Sequence, residues 1–387
     1  MKSSIRPTPI NALASLTAAA LALPAISTEV IADTSPYEFS MSYQATHYQE
    51  DNVDDSAVYS GDSERYTIDI QQFRVVAPIN SALAVILNIQ DETLSGASPW
   101  YVDKEANPDK PVVMSGASIK EHRTDASIQT TYYHDNGSLG LTAGISEEND
   151  YASSSLGLGA SFNFNDKLST LSVGVSGSND SIEPTQGNVP TNTIKDDKQS
   201  SSAFVGLSQV INKDTIIQVG SSFASAEGFL SDSYKLNDRR PDSRQRWTVN
   251  TALRQHYSSI DSTLHLDYRY YGDDWEMQSH TVDASVWVEL GDHVMLIPSV
   301  RWYSQSDTPF FANTADSANK YHSSDYRLSS YGAITTGLRA QCKYGDWLIA
   351  GTAERYESGK ELGIFDGDES PVLVEFTRVS MSIDYTF

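Results

Sequence analysis

One cysteine, Cys342, stands in a chain of 387 residues, so no intramolecular disulfide can form. No run beyond the N-terminus reaches the roughly 18 apolar residues that a spanning helix needs. Mean hydropathy is negative, at −0.38, so a helical membrane protein is excluded. Basic residues are scarce: 27 Lys and Arg stand against 51 Asp and Glu, a net charge of −24. An acidic surface of that size repels a phosphate backbone and argues against nucleic acid as a partner. No H-E-x-x-H, C-x-x-C, G-x-S-x-G or phosphate loop occurs, so no metal ligand set or catalytic motif is at hand.

What the chain does have is alternation. In the last segment Val379, Met381, Ile383, Tyr385 and Phe387 are apolar, with Ser380, Ser382, Asp384 and Thr386 between them. A period of two makes one strand face greasy and the other wet. Bacterial outer-membrane barrels commonly end in such a strand with an aromatic last residue; the rival is a half-buried strand of a soluble sandwich. At the other end, Lys2 and Arg6 precede an apolar run from Ala12 to Ile26 and small residues at Val30-Ile31-Ala32. This reads as a signal peptide over 1–32, leaving 33–387 as an exported barrel with no cysteine for a lipid anchor.

From residue 33 onward, segments of about ten alternating residues are joined by connections that are alternately short and long. Apolar rows include Met41 and Tyr43, then Ile68 and Ile70, then Leu83 to Ile89, and later Leu328, Ile334 and Leu338. Asp135-Asn136-Gly137 is a hairpin turn signal. A long connection is expected over about 91–120, and Pro298 falls in an apolar row where it predicts a bulge. The pattern predicts an all-β, antiparallel up-and-down transmembrane barrel of about sixteen strands. An even count puts both termini on one side, the periplasm. The single cysteine reads as a small residue near a turn.

The wet rows between residues 246 and 301 carry the charge. They offer Arg246, Arg254 and His256, then His265, Asp267 and Arg269, then Asp283, then Arg301 as lumen-lining candidates. Mixed charge on a barrel's inner wall needs water or full pairing. An open lumen with a transverse field and a plugged interior with a static ion-pair lattice produce the same pattern. The expected function is a channel or porin-like transporter, not an enzyme. A barrel hydrolase using His256 or His265 is the alternative, without a nucleophile motif to support it. Arg239, Arg240, Arg244 and Arg246 form a basic island that would meet lipopolysaccharide phosphates or an anionic solute, or pair with Asp238 and Asp242. The acidic clusters lack calcium-loop spacing and read as solvated loop charge.

Ser95-Gly-Ala-Ser98 and Ser115-Gly-Ala-Ser118 are turn-like repeats. They also resemble the core at which periplasmic flavin transferases esterify FMN onto a hydroxyl, which makes Ser98 and Ser118 flavin-attachment candidates. The usual acidic residue three before the first serine is missing: Asp91 stands four before Ser95, and Val112 holds the place in the second copy. No cofactor is otherwise expected.

Ser95-Gly-Ala-Ser-Pro-Trp100, Ser231-Asp-Ser-Tyr-Lys235, Arg240-Pro-Asp-Ser-Arg244, Leu266-Asp-Tyr-Arg-Tyr-Tyr-Gly-Asp-Asp-Trp275, Ser279-His-Thr281, Tyr303-Ser-Gln-Ser306 and Ser324-Asp-Tyr-Arg-Leu-Ser329 together resemble a family of proteobacterial outer-membrane barrels known only as a domain of unknown function. The resemblance implies this barrel topology over most of the mature chain and transfers no active residue. It also implies genomic company with flavin transferases and thioredoxin-like proteins, hence an envelope redox or assembly role as the rival function. Expected partners are outer-membrane lipids and lipopolysaccharide, the barrel-assembly machinery and periplasmic redox proteins.

Overall fold

Alternating residues can pair along both edges only if the sheet has no edge, and here it closes on itself. The computed structural model describes residues 38–102, 112–114, 119–184, 191–235, 237–314 and 318–387; the predicted signal peptide lies outside the described residues. Sixteen strands form the barrel: β1 (Ser40–Glu50), β2 (Thr67–Asn80), β3 (Leu83–Gly96), β4 (Ile119–His134), β5 (Gly137–Glu147), β6 (Tyr151–Phe164), β7 (Ser169–Ile182) and β8 (Asp196–Asn212) make one half. The other half is β9 (Thr215–Gly228), β10 (Ser243–Tyr257), β11 (Ser262–Asp273), β12 (Gln278–Leu290), β13 (Val294–Gln305), β14 (Tyr331–Tyr344), β15 (Trp347–Gly359) and β16 (Phe376–Thr386). Each strand pairs antiparallel with its sequence neighbours, and β16 returns to β1 with Ser40 opposite Thr386 and Glu50 opposite Phe376. The closing pair is sealed at the base, where the Phe39 ring meets Phe387 edge-on at 5.1 Å and Tyr385 packs between Phe387, edge-on, and Trp347, tilted.

The two ends differ. Tight turns join β2 to β3, β4 to β5, β8 to β9 and β14 to β15 at the end where β1 starts and β16 finishes. The connections 51–66, 97–118, 183–195, 229–242, 306–330 and 360–375 all rise from the opposite end. Cys342 is free and exposed close to the 345–346 turn.

The barrel wall is apolar outside and polar inside. Leu139, Ile145, Val175, Val219, Val300 and Met381 are exposed, whereas Gln44, Gln72, Thr131, Ser138, Ser161 and Ser172 are buried. Inner side chains bond across strands: Gln44 Nε2 donates to Gln72 Oε1 at 3.3 Å, and Gln72 Nε2 to Gln90 Oε1 at 2.7 Å. A protein in water has the reverse arrangement, so the solvent around this wall is hydrocarbon.

Toward the long connections the polarity turns over. Ile70, Ala226 and Ile182 are buried on the inner face, and His47, Asp69, Asp91 and His122 are polar on the outer face. A strand of 14 to 17 residues is longer than the roughly 9–11 needed to cross a bilayer. Its upper part stands in water around packed loops. Four expectations are corrected here. Ile68 and Ile70 lie on the inner face with Gln72, while Phe73 and Val75 take the outer row. The wall continues through Asp91 to Gly96, so the connection is shorter than 91–120. Leu328 leaves the β14 row for a short 3-10 turn over Tyr326–Leu328 and is buried there. Pro298 causes no bulge: the register is the same on both sides of it, with Ser299 opposite Ser285 and Leu296 opposite Val288. Pro298 sits on the outer face, and the strand absorbs its missing donor without a shift.

Candidate functional site: the inner wall and its cap

Register decides which inner side chains meet. On β10 and β11, Arg246 is opposite Asp273, Asn250 opposite Arg269, Arg254 opposite His265 and His256 opposite Thr263. Asp267 is then opposite Asp283 on β12, and Asp283 opposite Arg301 on β13. All eight candidate residues therefore share one stretch of inner wall. Arg254 forks the Asp267 carboxylate, its NH2 standing 3.0 Å from Oδ2. Arg301 Nε donates to Asp283 Oδ1 at 2.5 Å. The result is a row of charge across four strands, Arg254–Asp267–Asp283–Arg301, with two carboxylates facing each other in the middle. Like charges directly opposite are unfavourable, and the flanking guanidinium groups offset the repulsion.

Not every cation is matched. Arg269 donates only to Asn250 Oδ1, at 3.2 Å, and is exposed. Arg246 has no ion-pair or hydrogen-bond partner among the described residues, and its Nε is buried. The reason is Arg244, which takes Asp273 with two nitrogens while Tyr271 donates to the same carboxylate at 2.7 Å. The basic island thus divides. Arg240 pairs with Asp238 as expected and also with Asp325, Arg244 with Asp273 in place of Asp242, and Arg246 is left over. His265 stacks on Trp287 at 4.9 Å, and His256 Nδ1 lies 3.1 Å from Thr263 Oγ1. Among the described residues, neither imidazole has a hydrogen bond to a serine.

The other inner sectors differ in kind. β5 to β9 present Ser138, Gly140, Thr142 and Gly144, then Ser155, Gly157 and Gly159, then Ser172, Gly174 and Ser176, then Ser202, Phe204 and Gly206, then Gly220 and Ser222. Apart from Phe204, whose ring lies against Gly206, these side chains are short and do not fill a barrel of sixteen strands, for which an aqueous interior is the usual outcome. Across the lumen from β12, β3 and β4 carry Glu92 and Asp125 around Arg123, which also reaches Glu148 at 3.6 Å. A second group was not singled out in the sequence: Arg74, Arg339 and Asp384 face inward on β2, β14 and β16, and both Asp384 oxygens are buried without a hydrogen bond. Nothing in the sequence marks it, because only closure brings Arg74 to the other two.

The long-connection mouth is covered. Trp100 Nε1 donates to the Tyr234 carbonyl at 2.7 Å, Tyr234 reaches Asp150, Arg65 NH1 donates to the Val372 carbonyl at 3.1 Å, and Asn313 Nδ2 to the Glu369 carbonyl at 2.9 Å. The Trp100–Tyr234 bond joins connections from opposite sides of the barrel, and the Arg65 and Asn313 bonds join neighbouring ones. Short strands Val58–Ser60, Pro99–Val102 and Val112–Met114 form a separate small sheet there. Two apolar clusters pack the cap: Ala97, Val112, Met114 and Val372, and Trp275, Met277, Phe311 and Leu328. At its centre Asp325 is fully buried and receives Arg240 NH2 at 2.7 Å and Arg327 NH2 at 2.5 Å. Burial alone would raise the Asp325 carboxyl, but Arg327, Lys235 and Arg240 hold it well below the usual range. Burial likewise works against the Arg327 charge, and Asp325 more than restores it. Burial pushes the neighbouring Tyr326 phenol up to about 12. Ser231-Asp-Ser-Tyr-Lys235, Arg240-Pro-Asp-Ser-Arg244 and Ser324-Asp-Tyr-Arg-Leu-Ser329, read in the sequence only as a likeness, meet in or beside this centre. Ser98 lies at the edge of the cap, half-buried, and shares a hydrogen bond with Tyr66; Ser118 lies outside the described residues.

A closed antiparallel wall of sixteen strands, apolar toward its surroundings and charged within, defines an outer-membrane β-barrel. Solved structures agree on the fold. A bacterial polysaccharide outer-membrane secretin superposes with a TM-score of 0.50 at 11% identity, covering 90% of this chain and 98% of that one. CdiB from Acinetobacter baumannii gives 0.53 at 7% identity, covering 91% of this chain and 60% of that one. No curated protein sequence matches. Residues 13–368 match the family described as a protein of unknown function, DUF3570, and the chain belongs to that family.

Proposed function

We propose that the protein is a gated solute conduit of the outer membrane, with its termini and short turns in the periplasm and its cap on the outer side. The observation that carries this reading is charge left accessible to solvent on an inner wall. The Arg301 and Asp283 side chains, although paired, remain 47% and 35% exposed beneath a packed cap. A static lattice that filled the interior would bury them. The Ser- and Gly-lined sector leaves room for water beside them, and turns as short as 81–82 or 135–136 do not reach across the lower mouth. The polysaccharide secretin shares the fold alone, so the wall, not that likeness, supplies the argument about solute.

The test is conductance in planar bilayers. The intact protein should open rarely, because the cap closes one mouth. Asp325→Ala should give frequent stepwise openings, since it removes the carboxylate on which Arg240 and Arg327 converge at the centre of the cap. A variant that is folded, migrating faster unboiled than boiled on a gel, yet silent in the bilayer would overturn the conduit reading.

A further inference from the structure

We propose that Arg246, Arg269 and Arg301 form a lumenal binding site for small oxyanions, carboxylates above all. The inference rests on the conduit reading only for the open lower mouth through which a solute arrives. It begins from an imbalance. The inner faces of β10 to β13 carry Arg244, Arg246, Arg254, Arg269 and Arg301 against Asp267, Asp273 and Asp283, with Glu289 apart from them beside the 291–293 turn. Three of the arginines take the three nearby carboxylates: Arg244 takes Asp273, Arg254 takes Asp267 and Arg301 takes Asp283. Arg246 and Arg269 have no carboxylate, and this in a chain whose net charge is −24. Excess arginine facing inward is the opposite of what the protein's overall charge would place there.

Position adds to the imbalance. Arg246, Tyr271 and Arg269 follow one another on the shared inner face of β10 and β11, because Thr248 opposite Tyr271 lies between the Arg246 and Asn250 rows. Arg269 is opposite Thr281, which is opposite Tyr303, one row from the Asp283–Arg301 pair. Arg269 lies in the field of Arg301, Asp283 and Asp267. Arg269 is exposed as a residue, and among the described residues one of its nitrogens alone is engaged, by a neutral amide. A guanidinium presents two parallel N–H donors at the spacing of a carboxylate's oxygens. Two such groups along one wall, with a third held by a single bond from Arg301, suit a solute with two carboxylates or a phosphate. The acidic wall at Glu92 and Asp125 across the lumen would keep that anion on the arginine side.

Succinate and inorganic phosphate are the probes, titrated calorimetrically into the detergent-solubilised full-length protein at low salt. Arg269→Gln retains a donor for Asn250 but loses the charge and the fork, so it should weaken succinate binding roughly tenfold. Asp283→Asn should strengthen it, because it frees Arg301 and removes one of two facing carboxylates. Faster migration of both variants unboiled than boiled verifies that they fold. Succinate binding with these two opposite shifts supports the site. Equal binding of phosphate supports it as a general oxyanion site, and weaker phosphate binding supports carboxylate preference. Absence of binding by either probe, binding that ignores both substitutions, or tighter binding of putrescine than of succinate overturns it. The two proposals fail separately: silent bilayers with succinate binding remove the conduit and leave the site, and conductance without binding does the reverse.

Discussion

Asp325 is shut off from solvent and holds two guanidinium groups, so its removal leaves the buried Arg240 with Asp238 alone and the exposed Arg327 with the more distant Asp232. Because both cations keep a partner, the cost is less than the roughly 3–5 kcal/mol of breaking an isolated buried pair. The loss belongs to the cap, because the barrel wall is held by its own ladders. Asp325→Ala should therefore expose the connection 306–330 to protease while the barrel still resists boiling-dependent unfolding on a gel. Acid should act on the same group. A carboxyl held low in the folded state is charged there when its unfolded counterpart has already taken a proton. Its stabilisation is thus complete above the unfolded value of about 3.9 and is lost as pH falls through the lower folded one. Tyr326 works at the other extreme. A phenol raised to about 12 keeps its proton in the cap after the unfolded chain has lost one, so cap stability falls as pH rises from about 10 toward that value. Emission from Trp100 and Trp275, both bonded within the cap, should stay constant from pH 7 to 9 and change above that as Tyr326 ionises and below about pH 4 as Asp325 takes a proton. A transition centred near pH 8 would contradict the assignment to these groups.

Strands of this barrel change character along their length, and that explains which parts of the element were legible. In the middle of β5 or β16 the outer row is apolar and the inner row polar, so the period of two gives both the strand and its phase from the residues alone. Near the cap, Ile70 turns inward and Asp69 outward, and the same rule assigns the wrong face. A hydrophobicity pattern reports the contrast between two solvents, and above the bilayer those solvents trade places. The eight candidates were legible because their strands keep the apolar-outside phase, from Arg246 beside the cap to His256 beside the 258–261 turn. Arg74, Arg339 and Asp384 keep it too, but only closure brings Arg74 to the other two. The cap centre was invisible for a further reason, since Asp325 and Arg240 come from irregular connections that have no period. Closeness of fit now replaces pattern as the guide. A Cβ on Gly332 of β14 would stand 2.1 Å from the Leu362 carbonyl carbon, a backbone atom that cannot rotate aside. Gly332→Ala should displace the 3-10 turn over Lys360–Leu362 and break the 2.9 Å bond from Trp302 Nε1 to the Leu362 carbonyl. Denaturant unfolding should show a loss of roughly 1–3 kcal/mol, and the same substitution at Gly351, where a Cβ meets nothing within 4 Å, should show far less.

The molecule as a whole has a direction. The start of β1, the end of β16 and seven tight turns occupy one end, the cap with the short 148–150 and 274–277 connections occupies the other, and the apolar band lies between them. An assembly route that threads hairpins from the periplasm carries short turns on the near side and leaves long connections outside, which is the orientation proposed above. The chain offers a clean way to test it, because Cys342 is its sole cysteine. With Cys342→Ser as background, Asp292→Cys places a thiol in the exposed turn between β12 and β13, and Tyr59→Cys places one in the exposed sheet of the cap. A maleimide too large and too charged to cross the outer membrane should label the Tyr59→Cys protein on intact cells and spare the Asp292→Cys protein until the membrane is permeabilised. The reverse order would put the cap in the periplasm. The oxyanion wall would then open toward the cell's surroundings and the gate toward its interior, and a solute released in the periplasm, not one taken from outside, would meet the closed end first.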